Sequence, residues 1–169
     1  MKSDADPRIL ILGMGNPILS DDGVGLVIAE RLKMRLPGVD VEACPTIGLT
    51  ILDLILGYDL IFVIDAMTSR GGMPGTITKL CEHHAGGTLH LFSSHGVNFY
   101  ELMTLGERMG YAMPEVGGIY GIEIGDAVIF GEQISPGLQE RLDEIVNEIL
   151  ADMHANIQAL AVLPQSQYG

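Results

Sequence analysis

Two short runs, RILIL at 8 to 12 and DLIFVIDA at 59 to 66, are apolar without the regular polar alternation of a half-exposed strand. Strands of this kind are covered on both faces, and covering both faces of a sheet requires helices on each side. The rest of the chain supplies them. From Gly23 to Leu36, apolar Val24, Val27, Ile28, Leu32 and Met34 alternate with charges in helical spacing up to Pro37 and Gly38. VDVEA at 39 to 43 predicts a second strand, LTILDLIL at 49 to 56 a short helix, and MPGTITKL at 73 to 80 an edge strand with Pro74 at its start. Residues 97 to 109 carry a stripe of Phe99, Leu102, Met103 and Leu105, and GIYGIEI at 118 to 124 is a last strand. Ser135 and Pro136 are an N-cap and a first helical residue, followed by Leu138, Leu142, Ile145, Val146, Ile149, Leu150 and Met153 on one stripe. Strands alternating with helices predict a doubly wound α/β fold, a three-layer sandwich with a twisted, mainly parallel sheet covered by helices on both faces.

The length of 169 residues suits a single domain (1–169), with its core over about 8–152 and a disordered tail after about 164. Nine basic residues against 22 acids give a formal net charge of −13, which disfavours nucleic acid and anionic membrane surfaces. Every apolar run is broken before the roughly 18 to 20 residues that cross a bilayer. The polar start MKSDADPR lacks the apolar core of a signal peptide, so a cytoplasmic location is expected. Cys44 and Cys81 are too few and too far apart for a disulfide framework or a metal knuckle, and are expected as buried free thiols.

The loop GMGNPILSDDGVG at 13 to 25 follows the first strand. It fails the dinucleotide fingerprint, because Ile18 stands where the third glycine belongs. It fails as a phosphate loop too, since Asp21 and Asp22 at the helix start repel a phosphate. Solvated helix-start acids are the plain alternative. Asp65 changes the weighing. It ends the third strand, and in open parallel sheets ligands bind beyond the carboxyl ends where strand order reverses. In a 2-1-3 order, Asp22 and Asp65 face one crevice.

Of the five histidines, His83, His84 and His154 read as surface residues and His90 as structural, whereas His95 in SSHGVNFYEL stands just before a helix. Two carboxylates and an imidazole from separate loops suit a divalent ion of borderline softness, with coordination positions left open. Nickel and zinc both fit.

These residues resemble one family. GxGNxxxxDDGxG, FVIDA at 62 to 66, SSH at 93 to 95 and the GIYGIEI strand are similar to the hydrogenase maturation proteases, which trim the C-terminus of the NiFe hydrogenase large subunit. The resemblance runs from about residue 8 to 152 and implies an α/β sandwich. It implies Asp22, Asp65 and His95 as metal-binding and catalytic residues, with Gly15, Asn16, Thr46 and Gly48 lining the substrate cleft. It further implies a folded large-subunit precursor as substrate, nickel delivered by that precursor (zinc or cadmium able to occupy the site in vitro), and a monomeric protease.

The residues agree with metal-dependent hydrolysis. Ser20 and Ser69 lack glycine elbows, neither cysteine has an activating helix start, and HExxH is absent. A divalent ion polarising the scissile carbonyl and acidifying a water, with a carboxylate taking the proton, remains. Two rivals share parts of the pattern: a non-catalytic factor that binds the nickel-loaded precursor, and a small Rossmann-type nucleotide module.

Overall fold

The computed structural model describes residues 7–44, 49–69, 71–80, 99–125 and 129–162. Its strands are β1 (Ile9–Met14), β2 (Asp40–Cys44), β3 (Leu60–Met67), β4 (Ile77–Leu80) and β5 (Glu115–Glu123). Its α-helices are α1 (Val24–Lys33), α2 (Thr50–Ile55), α3 (Phe99–Arg108) and α4 (Pro136–Val162), and a single tight turn, Ser20–Gly23, leads into α1. The sheet has the order β2-β1-β3-β5-β4. All neighbours run parallel except β4, which pairs antiparallel with β5 at the edge. The expected α/β sandwich and its 2-1-3 order are both present.

Alternation along the central strands divides the core. Ile9, Ile11, Phe62, Ile64, Tyr120 and Ile122 pack with α1 and α4 on one face. Leu10, Leu12, Ile61, Val63 and Ile119 pack with α2 and α3 on the other. Because both faces are covered, β1 is apolar throughout and β3 is apolar up to Asp65, which is why they carry no period of two.

Several boundaries differ from the sequence expectation, each for a local reason. Residues 73 to 76 form a turn, closed by the Thr76 N–H donating to the Met73 carbonyl at 3.0 Å, with Gly75 at φ +84°. Pro followed by a left-handed Gly is a turn signal, and it outweighs the extended character of Pro74. Met34 lies beyond α1 and is 80% exposed, while Leu36 returns to the core. In α3 the stripe is Phe99, Leu102, Met103 and Gly106; Leu105 falls off it and is 41% exposed. Gly106 replaces it because helical neighbours recur at three, four and seven residues, and Met113 and Leu52 close on that glycine. The closing helix continues past Met153 to Val162. The tail after 164 lies outside the described residues.

Cys44 is buried and forms no disulfide, as expected, whereas Cys81 lies outside the described residues. No helix among the described residues is long and apolar enough to cross a membrane.

Candidate active site

Register brings the two acids to one place. Gly13 of β1 pairs with Ile64 of β3. β1 therefore leaves the sheet as the glycine loop within a residue or so of where Asp65 emerges. On the other side Asp65 is in register with Gly121, which adds no side chain. The carboxyl end of the sheet thus has β1, β3 and β5 converging on Asp65.

The glycine loop is shaped to deliver Asp22 there. Gly15 has φ +141°, a conformation that strains any residue with a Cβ, and a Cβ at that place would overlap the Asp22 carbonyl oxygen. Asn16 then organises the loop from both of its ends. Its N–H donates to Asp22 Oδ2 at 2.9 Å, and its side-chain oxygen accepts from the Ile18 N–H at 3.1 Å, an Asx turn. Gly25, the last glycine of the motif, sits in the first turn of α1. A Cβ there would overlap the Met14 carbonyl and lie 2.5 Å from the Ile64 carbonyl oxygen. The close approach of helix to strand that dinucleotide folds obtain from a third glycine is here the work of Gly25, seven residues beyond the vacant position at Ile18.

The adjacent acids have separate tasks. Asp21 turns away from the crevice and accepts from the Ser135 N–H at 2.6 Å and the Ser135 hydroxyl at 2.7 Å. Ser135 keeps the N-cap position of α4, its carbonyl accepting from the Gln139 N–H at 2.8 Å, but its hydroxyl serves Asp21. Asp22 faces Asp65.

Asp65 is only 6% exposed. Its one described hydrogen bond comes from the Ala66 N–H, at 2.9 Å. Burial pushes its carboxyl up to about 8; the Ala66 bond opposes this and the nearby charge of Asp22 adds to it. A carboxyl so placed gains from the arrival of a cation, which would offset both the burial and the repulsion. The two carboxylates therefore fit a divalent ion as part of a donor set. Among the described residues no cluster of three or more such side chains could hold a metal. His95, the third expected ligand, lies outside the described residues, as do Thr46, Gly48, His83, His84 and His90. His154 is exposed on α4.

Glu123, which the sequence pattern does not single out, is a second buried acid at the same end of the sheet. It is 3% exposed, in register with Met67, and accepts from the Ser69 N–H at 2.7 Å and the Ser69 hydroxyl at 2.8 Å. Ser69 is thereby a partner of Glu123, with its hydroxyl engaged. An acid closing an otherwise apolar strand, IYGIEI, was the available signal.

No family model matches this chain. It is 27% identical over 153 residues to the hydrogenase expression/formation protein HupD of Thiocapsa roseopersicina, covering 86% of this chain and 67% of that protein. It is 37% identical over 76 residues to the hydrogenase 2 maturation protease of Escherichia coli, covering 43% of this chain and 46% of that one. The hydrogenase maturating endopeptidase HybD of E. coli superposes with a TM-score of 0.69 at 20% identity, over 88% of this chain and 93% of that one. The chain is related in sequence and fold to the hydrogenase maturation proteases. The Asp21 to Ser135 clasp joins the glycine loop to the start of α4.

Proposed function

We propose that this chain is an endopeptidase that removes the C-terminal extension of a NiFe hydrogenase large-subunit precursor after nickel has been loaded. The observation that carries this reading is the convergence of Asp22, held by Asn16, with buried Asp65 at the carboxyl end of the sheet, in a fold shared with HybD. Asp22 and Asp65, with His95, would complete the coordination of a nickel ion that arrives with the substrate. That ion supplies Lewis acidity to a scissile carbonyl and an attacking water. The chain's own part is to orient the carboxylates, to take the water's proton on one of them, and to hold the tail along the glycine loop past Gly15 and Asn16 and the segment with Thr46 and Gly48. A small oxygen-rich donor set binds nickel less tightly than thiolates do, so the ion would leave with the processed product. Nickel thereby acts as the check that the precursor is ready.

The test is to incubate the protein with the tailed precursor, nickel-loaded and nickel-free, and to weigh both intact. Loss of a C-terminal peptide from the loaded form alone is expected, and Asp22→Ala, Asp65→Ala and His95→Ala should each abolish it. Normal cleavage by the three variants refutes the site. Binding of the loaded precursor without any released peptide would instead make the chain a non-catalytic maturation factor.

A further inference from the structure

Beside the site, the glycine loop is fastened to the segment that precedes α4. The Gly131 N–H donates to the Ile18 carbonyl at 3.0 Å, the Ser20 N–H to the Gly131 carbonyl at 2.6 Å, and the Ser20 hydroxyl to the Gln133 carbonyl at 2.7 Å. Asp21 adds its two bonds from Ser135. The clasp is firm enough to hold Ser20 at φ +46°, an unfavourable conformation for a residue with a side chain. Leu19 and Gly131 form a parallel bridge, so Ile18 and Phe130, one position earlier on each segment, are neighbours along the backbone.

What this clasp displays is apolar. Ile18 is 53% exposed, Ile129 57% and Phe130 81%. Isolated exposed apolar side chains are ordinary, but three large ones on two segments tied together by these hydrogen bonds point to an interaction surface. The platform is continuous with the site, since Asn16 holds Ile18 through its side chain and Asp22 through its N–H.

Charge selects the occupant. A second copy would bring another net −13 against the first, with Glu132 exposed at the rim, so self-association on this face is opposed. A basic segment is drawn in by the same field. We propose that Ile18, Ile129 and Phe130 form the docking surface for an extended, basic polypeptide segment bearing aliphatic side chains. Resting on the peptidase reading, that segment would be the stretch of precursor next to the cleaved bond.

The test uses the full chain and three labelled peptides, GKLKLKG, GELELEG and GKSKSKG, followed by fluorescence anisotropy. The first should bind, and both others should bind at least tenfold more weakly. The doubly substituted variant Ile18→Ser, Phe130→Ser should weaken the first at least tenfold while its circular dichroism is unchanged; Ile129→Ser alone checks the result should the double variant misfold. Equal binding to wild type and variants, or equal binding of GKLKLKG and GKSKSKG, overturns the proposal. So does a wild-type dimer in sedimentation that the variants dissolve, since a second copy would then be the occupant. With the loaded precursor, the variants should raise KM at least tenfold and leave kcat unchanged; unchanged KM in an active protease refutes the docking surface alone. Absence of cleavage by the wild type, with the peptide pattern intact, refutes the peptidase reading and leaves the surface standing.

Discussion

Replacing Asp65 by Asn should make the metal-free protein more stable at neutral and alkaline pH. The folded carboxyl titrates at about 8 against an ordinary 3.8, so between those values the folded state keeps a proton that the unfolded chain releases. Stability contributed by this group is therefore complete below about pH 4, falls as pH rises, and levels off above about 8. Each tenfold difference in proton affinity is worth about 1.4 kcal/mol, which sets a ceiling of about 6 kcal/mol for the full span. Relaxation around the ionised group brings the expected loss to about 3 kcal/mol, still a large share of the 5 to 15 kcal/mol typical of a domain. Asn is neutral at every pH and keeps an oxygen for the Ala66 N–H. Urea denaturation with a chelator present, at intervals from pH 5 to 9, should show wild type declining relative to Asp65→Asn, with the gap fully open by about pH 8 to 9. Asp22→Asn should narrow that gap only in part, because burial outranks the Asp22 charge among the causes. Parallel profiles for wild type and Asp65→Asn would refute the reasoning.

The glycine loop yields two further expectations. Gly25→Ala puts a Cβ against the carbonyls of Met14 and Ile64, backbone that no rotamer change can clear, and should cost about 1 to 3 kcal/mol in urea while depressing cleavage. Asp21→Ala and Asp22→Ala should separate stability from chemistry. The first strands the Ser135 N–H and hydroxyl and should lower stability by about 1 to 3 kcal/mol, while the second loses one bond from Asn16, lowers stability less, and removes cleavage. Equal effects of the two on either measurement would contradict the division of labour.

The fold was legible because its strongest signals are non-local in consequence but local in sequence. Short, β-branched runs such as LIFVI suit strands covered on both faces, and right-handed crossovers leave few orders for them. Asp65 was legible for the same reason, since a strand's carboxyl end is where such sheets bind. The task of Asp21 was not. Nothing in SDDG shows what Asp21 holds, because the Ser135 that claims it lies 114 residues away and is brought near only by the packing of α4. Glu123 was hidden likewise: its partner Ser69 reaches it across the pairing of β3 with β5. Gly25 could have been found from the motif, had close packing of helix on strand been sought at the end of the loop as well as at its middle.

If Asp65 must lose a proton to meet a cation, the affinity of the isolated protein for nickel should depend on pH in a defined way. With one carboxyl at about 8, binding releases a proton at every pH below that value. Between pH 7 and 8, above the ordinary histidine value of about 6.5, the apparent affinity for Ni²⁺ should strengthen by about fivefold, and the slope should flatten as pH passes about 8. Titration calorimetry in two buffers of different ionisation enthalpy counts the proton directly, and close to one should be released at pH 7. Asp65→Asn should abolish that release along with most of the affinity. The competing idea is a site preformed for free nickel, with Asp65 already ionised; it predicts a flat affinity over this range and no buffer dependence. In the gated arrangement the chain is poorly disposed toward free nickel at neutral pH because protons compete for Asp65, and a precursor that holds the ion in place supplies the cation at high effective concentration.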